Sequence, residues 1–165
     1  MRDSKPELVI IAAMSRNRVI GDGEGMPWDV PEEYEHFRET TRHQTVIIGR
    51  RSFKIFGPTF TCTNCYVVTR SDRVFPEATT VHSLEDAVSR ATRHHATVFV
   101  AGGASIYREA IDIADCMQLS YIDGAYSGDA LFPEFDLRDW VIVRQERRPR
   151  YEFVEYIRKR QTSDA

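Results

Sequence analysis

Residues 8–14 read Leu-Val-Ile-Ile-Ala-Ala-Met, an apolar run with no alternation. A strand wetted on one face alternates apolar and polar side chains, whereas a strand covered on both faces does not. The run is also far short of the ~20 apolar residues of a membrane span. It predicts a strand covered on both faces in a mostly parallel sheet. Residues 45–49, 65–70, 97–101 and 116–122 repeat the pattern, with helical stretches between them. One helix, over 31–42, opens on Pro31, with Glu32 and Glu33 in the first turn, where acids complement the helix dipole. A short one covers about 51–56. A third runs from Ser83, an N-cap with Asp86 three residues on, to about His94. A fourth follows Gly102-Gly103. Strands alternating with helices define an α/β domain. Residues 140–146 and 151–158 break the alternation. They predict a hairpin through Arg147-Arg148-Pro149-Arg150, adding antiparallel character at one sheet edge.

A length of 165 residues suits one domain. Residues 1–165 are expected to form it, with 1–7 as a disordered extension. A net charge of -3 predicts no strong attraction to nucleic acid or to an anionic membrane. The tail is basic at Arg147, Arg148, Arg150, Arg158, Lys159 and Arg160, but Glu146, Glu152 and Glu155 interleave it. Tyr151, Phe153 and Tyr156 read as one sheet face rather than a nucleic-acid platform. The polar start, Met1 to Glu7, lacks the apolar stretch of a secretory signal and predicts a cytoplasmic protein. Three cysteines argue against a disulfide framework. Cys62 and Cys65 have the spacing of half a metal knuckle, but there is no second pair, so no metal is expected. Two thiols at the mouth of a strand is the plainer reading.

The chemistry concentrates where Val19-Ile20-Gly21 is followed by Met26-Pro27-Trp28 and then Glu33. Helical periodicity puts Glu33, Phe37 and Thr41 on one face. If that face looks inward, Glu33 is a desolvated acid able to manage a proton near neutral pH. Spacing alone favours the alternative, a surface acid complementing the dipole as Glu32 and Glu35 do. Gly49-Arg50-Arg51-Ser52 and Thr69-Arg70-Ser71 each follow a strand, where α/β sheets bind ligands. Hydroxyls and arginines there suit a phosphate-bearing cofactor; a pair of solvated arginines is the alternative. Gly102-Gly103-Ala104-Ser105 lets backbone approach a ligand closely, or simply makes a tight turn. It is not the spaced glycine fingerprint of a dinucleotide-binding βαβ unit.

Taken together, these residues resemble dihydrofolate reductase over about Leu8 to Arg158. The resemblance rests on Ile11-Ala12-Ala13, Val19-Ile20-Gly21, Met26-Pro27-Trp28, Glu33 with Phe37, Thr41 and Val46 to Arg50. Thr69-Arg70-Ser71, Ala101-Gly102-Gly103, Ile106-Tyr107, and Gly128-Asp129 before Phe132-Pro133 complete it. It implies an eight-stranded, mostly parallel sheet flanked by helices, closing in a C-terminal antiparallel hairpin. It also implies a monomer that passes hydride from NADPH to C6 of dihydrofolate while a proton reaches N5.

The resemblance assigns the acid to Glu33, its water network to Trp28, and the hydroxyl behind it to Ser120, where the family usually has Thr. Ile11, Ala12, Tyr34, Phe37, Phe56, Phe60, Ala101 and Tyr107 would line the pterin and benzoyl pocket. Ala13, Ile20 and Gly21 would meet the nicotinamide, beneath a lid over 21–28. Gly49, Gly102, Gly103, Ala104, Ser105 and Ile106 would cradle the pyrophosphate. Arg50, Arg51, Ser52, Thr69, Arg70, Ser71 and His82 would surround the 2′-phosphate and adenosine. One departure concerns the arginine that holds the substrate's glutamate carboxylate: Thr63 stands there, and no arginine lies between Arg51 and Arg70. Arg38 or Arg42 could replace it. Otherwise the substrate lacks the glutamate, as an unconjugated dihydropterin or a riboflavin-pathway pyrimidine does. A ligand-binding protein without turnover is a third reading, disfavoured by Glu33, Trp28 and Ser120.

Overall fold

The structure is a computed structural model and describes residues 6–21, 25–57, 63–93 and 97–159. The elements are β1 (Glu7–Ser15), β2 (Val19–Gly21), α1 (Pro31–Thr41), β3 (Thr45–Gly49), α2 (Arg50–Phe56), β4 (Asn64–Val68), β5 (Thr79–Val81) and α3 (Leu84–Thr92). Then come β6 (Thr97–Val100), α4 (Ala104–Ala110), β7 (Cys116–Ile122), β8 (Ala130–Leu131), β9 (Trp140–Arg147) and β10 (Tyr151–Arg158). The main sheet has eight strands in the order β5-β4-β3-β6-β1-β7-β10-β9. Every pairing from β5 to β7 is parallel; β10 is antiparallel to both β7 and β9. This is the expected α/β architecture with its antiparallel C-terminal hairpin.

β1 lies inside the sheet between β6 and β7, which is why its apolar run does not alternate. Leu8, Ile10, Ala12 and Met14 enter one core layer with α3 and α4, while Val9 and Ile11 enter the other. Ile10, Ile47 and Leu119 are fully buried. Truncating any of them to alanine costs about 2–5 kcal/mol through lost transfer energy and the cavity left behind. Ser83 caps α3 as expected, its hydroxyl accepting from the Asp86 N–H at 3.0 Å.

Some boundaries differ from expectation. Glu7, placed in the terminal extension, opens β1, and β4 ends at Val68, leaving Thr69 and Arg70 beyond it. The strands β2, β5 and β8 have three, three and two residues, too few to show a period; β2 and β8 form a small second sheet. Tyr156 does not share a face with Tyr151 and Phe153. It packs with Val154 in the α3/α4 layer, while the other two join Trp28, Val30 and Ile122. The physical reason is parity: five positions separate Tyr156 from Tyr151, and a strand alternates every residue.

Candidate active site

A cleft enclosing about 480 Å³ opens at the carboxyl ends of β1 and β6. Ala13 from β1 and Ala101-Gly102-Gly103 after β6 form its floor. Glu33, Tyr34 and Phe37 from α1, Ser52 and Phe56 from α2, and Tyr107 from α4 form its walls, with Ile20 and Met26 at the remaining side. The rings of Tyr34, Phe37 and Phe56 lie about each other at centroid distances of 5.9–6.2 Å, giving a flat apolar wall.

Glu33 is 5% exposed, against the surface position that spacing alone favours. Burial raises its pKa to about 7, and a hydrogen bond from the Ser120 hydroxyl on β7 opposes the rise. With no cation in direct contact to stabilise the anion, desolvation decides the outcome. Glu32 does stay at the surface, where the Arg150 guanidinium beside it holds its carboxyl below the usual range. Glu35 pairs with Arg38 at 3.1 Å. Tyr107, whose hydroxyl donates to the Ile11 carbonyl at 2.8 Å, is kept protonated by burial and by the nearby Glu33.

The glycine pair forms the other half of the cleft. Gly102 has φ +111°, is joined to Gly103 by a cis peptide bond, and accepts from the Gly49 N–H at 2.7 Å. A β-carbon on Gly103 would stand 3.0 Å from the Ser52 hydroxyl, and one on Gly49 would stand 3.3 Å from Ile106. Gly49 packs closely against the Gly102-Gly103 backbone, and that pair lines the cleft beside Ser52, near the starts of α2 and α4, whose first turns have no side-chain cap. Arg50 and Arg51 begin α2, with Arg50 half-buried and Arg51 exposed. Thr69 is buried and shares a hydrogen bond of 3.1 Å with Ser71; its carbonyl lies 3.0 Å from His82 Nδ1. Arg70 is exposed. Bare Gly102-Gly103 backbone in the cleft wall, with the Ser52 hydroxyl beside it and Arg50 and Arg51 at the start of α2, suits the phosphates of a dinucleotide such as NADPH.

Not every expected residue lines the cleft. Ile11 and Ala12 are buried in opposite core layers, and Ile11 contributes its carbonyl rather than its side chain. Trp28 is 7% exposed and packs edge-on against Tyr126 at 5.7 Å, in a cluster that also meets Ala13 and Met26 of the cleft. Ile106 is buried behind Gly49, Ala104 is half-buried, and Ser105 is exposed. Phe60 and most of the lid tip lie outside the described residues. Met26 lines the cleft and was not singled out as a contact; its adjacency to Pro27-Trp28 was the available signal. Cys62 lies outside the described residues; Cys65 is buried in β4, and burial pushes Cys116 up to about 12. Among the described residues no helix is long and apolar enough to cross a membrane.

The fold and the cleft together define an α/β domain with an aromatic-walled cleft beside one buried acid. Comparison with known proteins places it further. The family model for dihydrofolate reductase matches residues 7–161. The chain is 34% identical to dihydrofolate reductase HdrB of Haloferax volcanii, covering 95% of this chain and 86% of that protein. It is 32% identical to dihydrofolate reductase of Bacillus subtilis (90% and 93%) and 34% identical to that of Neisseria gonorrhoeae (93% and 99%). The structure of dihydrofolate reductase from Enterococcus faecalis complexed with NADP(H) and RAB-propyl superimposes with a TM-score of 0.84 at 25% identity, covering 93% of this chain and 97% of that one. The chain belongs to the dihydrofolate reductase family.

Proposed function

We propose that this protein is a single-domain, monomeric, cytoplasmic NADPH-dependent reductase that converts 7,8-dihydrofolate to tetrahydrofolate for one-carbon metabolism. The observation that carries the reading is Glu33: a buried carboxyl at the edge of an apolar cleft that Gly102 and Gly103 also line, its pKa raised to about 7. NADPH supplies the hydride for C6 when bound. Glu33 binds the pterin amino group and N3 and favours protonation of N5 through water. Its raised pKa keeps a proton available near neutrality. Ser120 holds the carboxylate from behind, and Trp28 stiffens the segment leading into α1. Tyr34, Phe37 and Phe56 stack the flat rings and keep water out. The backbone at Gly49, Gly102 and Gly103 takes the pyrophosphate. Arg50, with Thr69 and Arg70, selects the 2′-phosphate, and closure of 21–28 excludes water from the transfer.

One observation favours a second reading, reduction of a related heterocycle without a glutamate tail. Thr63 is exposed with no arginine nearby in sequence, and the candidates to replace one are already paired, Arg38 with Glu35 and Arg42 with Glu39. The test is NADPH oxidation by the purified protein, with dihydrofolate and with a glutamate-free dihydropterin. Saturation by dihydrofolate at micromolar levels supports the first reading. Turnover restricted to the shorter pterin supports the second.

A further inference from the structure

Arg150 stands in the turn between β9 and β10, far along the chain from Glu33. Its side chain reaches the start of α1. Nε and Nη2 donate to the two carboxylate oxygens of Glu32 at 2.8 and 2.5 Å, and Nη1 donates to the Asp29 carbonyl at 3.3 Å. These contacts straddle Val30, the N-cap of α1. Val30 offers no side-chain acceptor; instead the Glu32 carboxylate accepts from its own N–H, the Glu33 N–H donates to the Val30 carbonyl at 3.1 Å, and Arg150 anchors that carboxylate from the distant turn. The helix that carries Glu33 is therefore held at its start from outside.

The same residue also holds the other partner of the acid. The Arg150 carbonyl accepts from the Asp123 N–H at 3.0 Å, just beyond the end of β7, the strand that carries Ser120. Asp123 is itself gripped by Arg147 and Arg16. Tyr151, the next residue, is buried with Trp28, Val30, Ile122 and Phe153. One arginine thus ties together the segment Met26–Val30, the first turn of α1 and the end of β7.

We propose that Arg150 is a positioning residue that fixes the start of α1 through Glu32 and Asp29 and so sets Glu33 against Ser120. The inference rests on the reading of Glu33 as the working acid. An exposed ion pair by itself contributes little to a fold. Its value here lies in geometry, because small misplacements of a reacting group carry large rate penalties.

Two effects of losing Arg150 have opposite signs. Removing a positive charge near a carboxyl raises its pKa. Loosening the helix start admits water to a desolvated carboxyl and lowers it. The tyrosines that interact with Glu33 electrostatically, Tyr107 on α4 and Tyr151 on β10, are both raised by burial and stay neutral in this range. Loss of charge alone would raise the midpoint of Glu33, so a lowered midpoint in an Arg150 variant reads position.

The experiment follows the ¹³C carboxyl signal of Glu33, assigned with Glu33→Gln, through a pH titration of the full chain. It compares Arg150→Ala, Arg150→Gln, Arg150→Lys and, as a control, Arg138→Ala, whose guanidinium pairs with Asp136. The expected result is a midpoint lowered by half a unit or more in Arg150→Ala and Arg150→Gln, partial recovery in Arg150→Lys, and no change in the control. The kcat profile for dihydrofolate should move by the same amount. Should Arg150→Ala not fold, Arg150→Gln removes the same ion pair. An unmoved midpoint, a raised one, or no recovery with lysine overturns the proposal. The titration needs no substrate. A lowered midpoint in a protein inert toward dihydrofolate keeps the positioning role and rejects the proposed activity instead.

Discussion

Replacing Glu33 with glutamine removes an ionisable group whose burial has a definite cost. Its folded pKa is about 7 against an ordinary 4.5. Each unit corresponds to about 1.4 kcal/mol, so ionising Glu33 in the folded protein costs about 3 kcal/mol more than in the unfolded chain. The direction follows from proton binding. Between pH 4.5 and 7 the folded state holds a proton that the unfolded state has released. Stability from this group is therefore complete below pH 4.5 and is lost as pH rises to 7. Glutamine carries no such dependence. The stability of Glu33→Gln relative to wild type should rise by about 3 kcal/mol across that window and stay level above it, equivalent to roughly 6–12 °C in Tm for a chain of this size. Urea unfolding of both proteins at half-unit steps from pH 4.5 to 8 measures the difference, in which groups common to both cancel. A flat difference curve would refute the reasoning, since it would mean that water reaches Glu33 in the folded protein. The same variant should keep its NADPH affinity and lose most turnover near neutral pH.

Ser120→Ala deletes the bond that opposes the rise in Glu33, so the alkaline limb of the pH–rate profile should move to higher pH; a move to lower pH would place Ser120 elsewhere. Arg50→Ala should weaken NADPH roughly ten- to a hundredfold, the loss of one charge-assisted bond, and NADH far less. Equal losses in a fluorescence titration would move the 2′-phosphate off Arg50. Thr63→Arg should lower the KM for dihydrofolate by a similar factor while leaving a glutamate-free pterin unaffected, and a like response from both would remove position 63 from substrate recognition.

What the sequence makes legible depends on the range of the forces involved. β1 is readable because burial on both faces writes itself into a single short segment. The Ser83–Asp86 cap is readable because it is local. The strands β2, β5 and β8 are not, because two or three residues carry no period and their pairing partners lie elsewhere. Glu33 shows the boundary most clearly. The spacing of Glu33, Phe37 and Thr41 marks a face of α1, but whether that face is wet is decided by β7, α4 and the β9–β10 turn, over a hundred residues later in part. Family resemblance named Glu33 as the candidate acid; only the packing shows it buried. Ile11, Ala12 and Trp28 are the converse. Their motifs are near the cleft in sequence, yet Ile11 and Ala12 are buried in the two core layers and Trp28 packs against Tyr126. The Arg150 contact with Glu32 had no local signature at all.

The place of β1 in the sheet also bears on how the chain is made. Ile10 pairs with Val100 and Met117, so the most apolar strand meets its neighbours only after roughly 90 further residues exist. At about 5–20 residues per second of synthesis, that interval lasts roughly 5–20 s. Through it, Leu-Val-Ile-Ile waits as an unpaired, low-charge segment of the kind that other nascent chains adhere to. Mutations at the far end of the gene, in β6 or β7, should therefore first appear as lost yield of soluble protein, before any change in the chemistry of the purified enzyme.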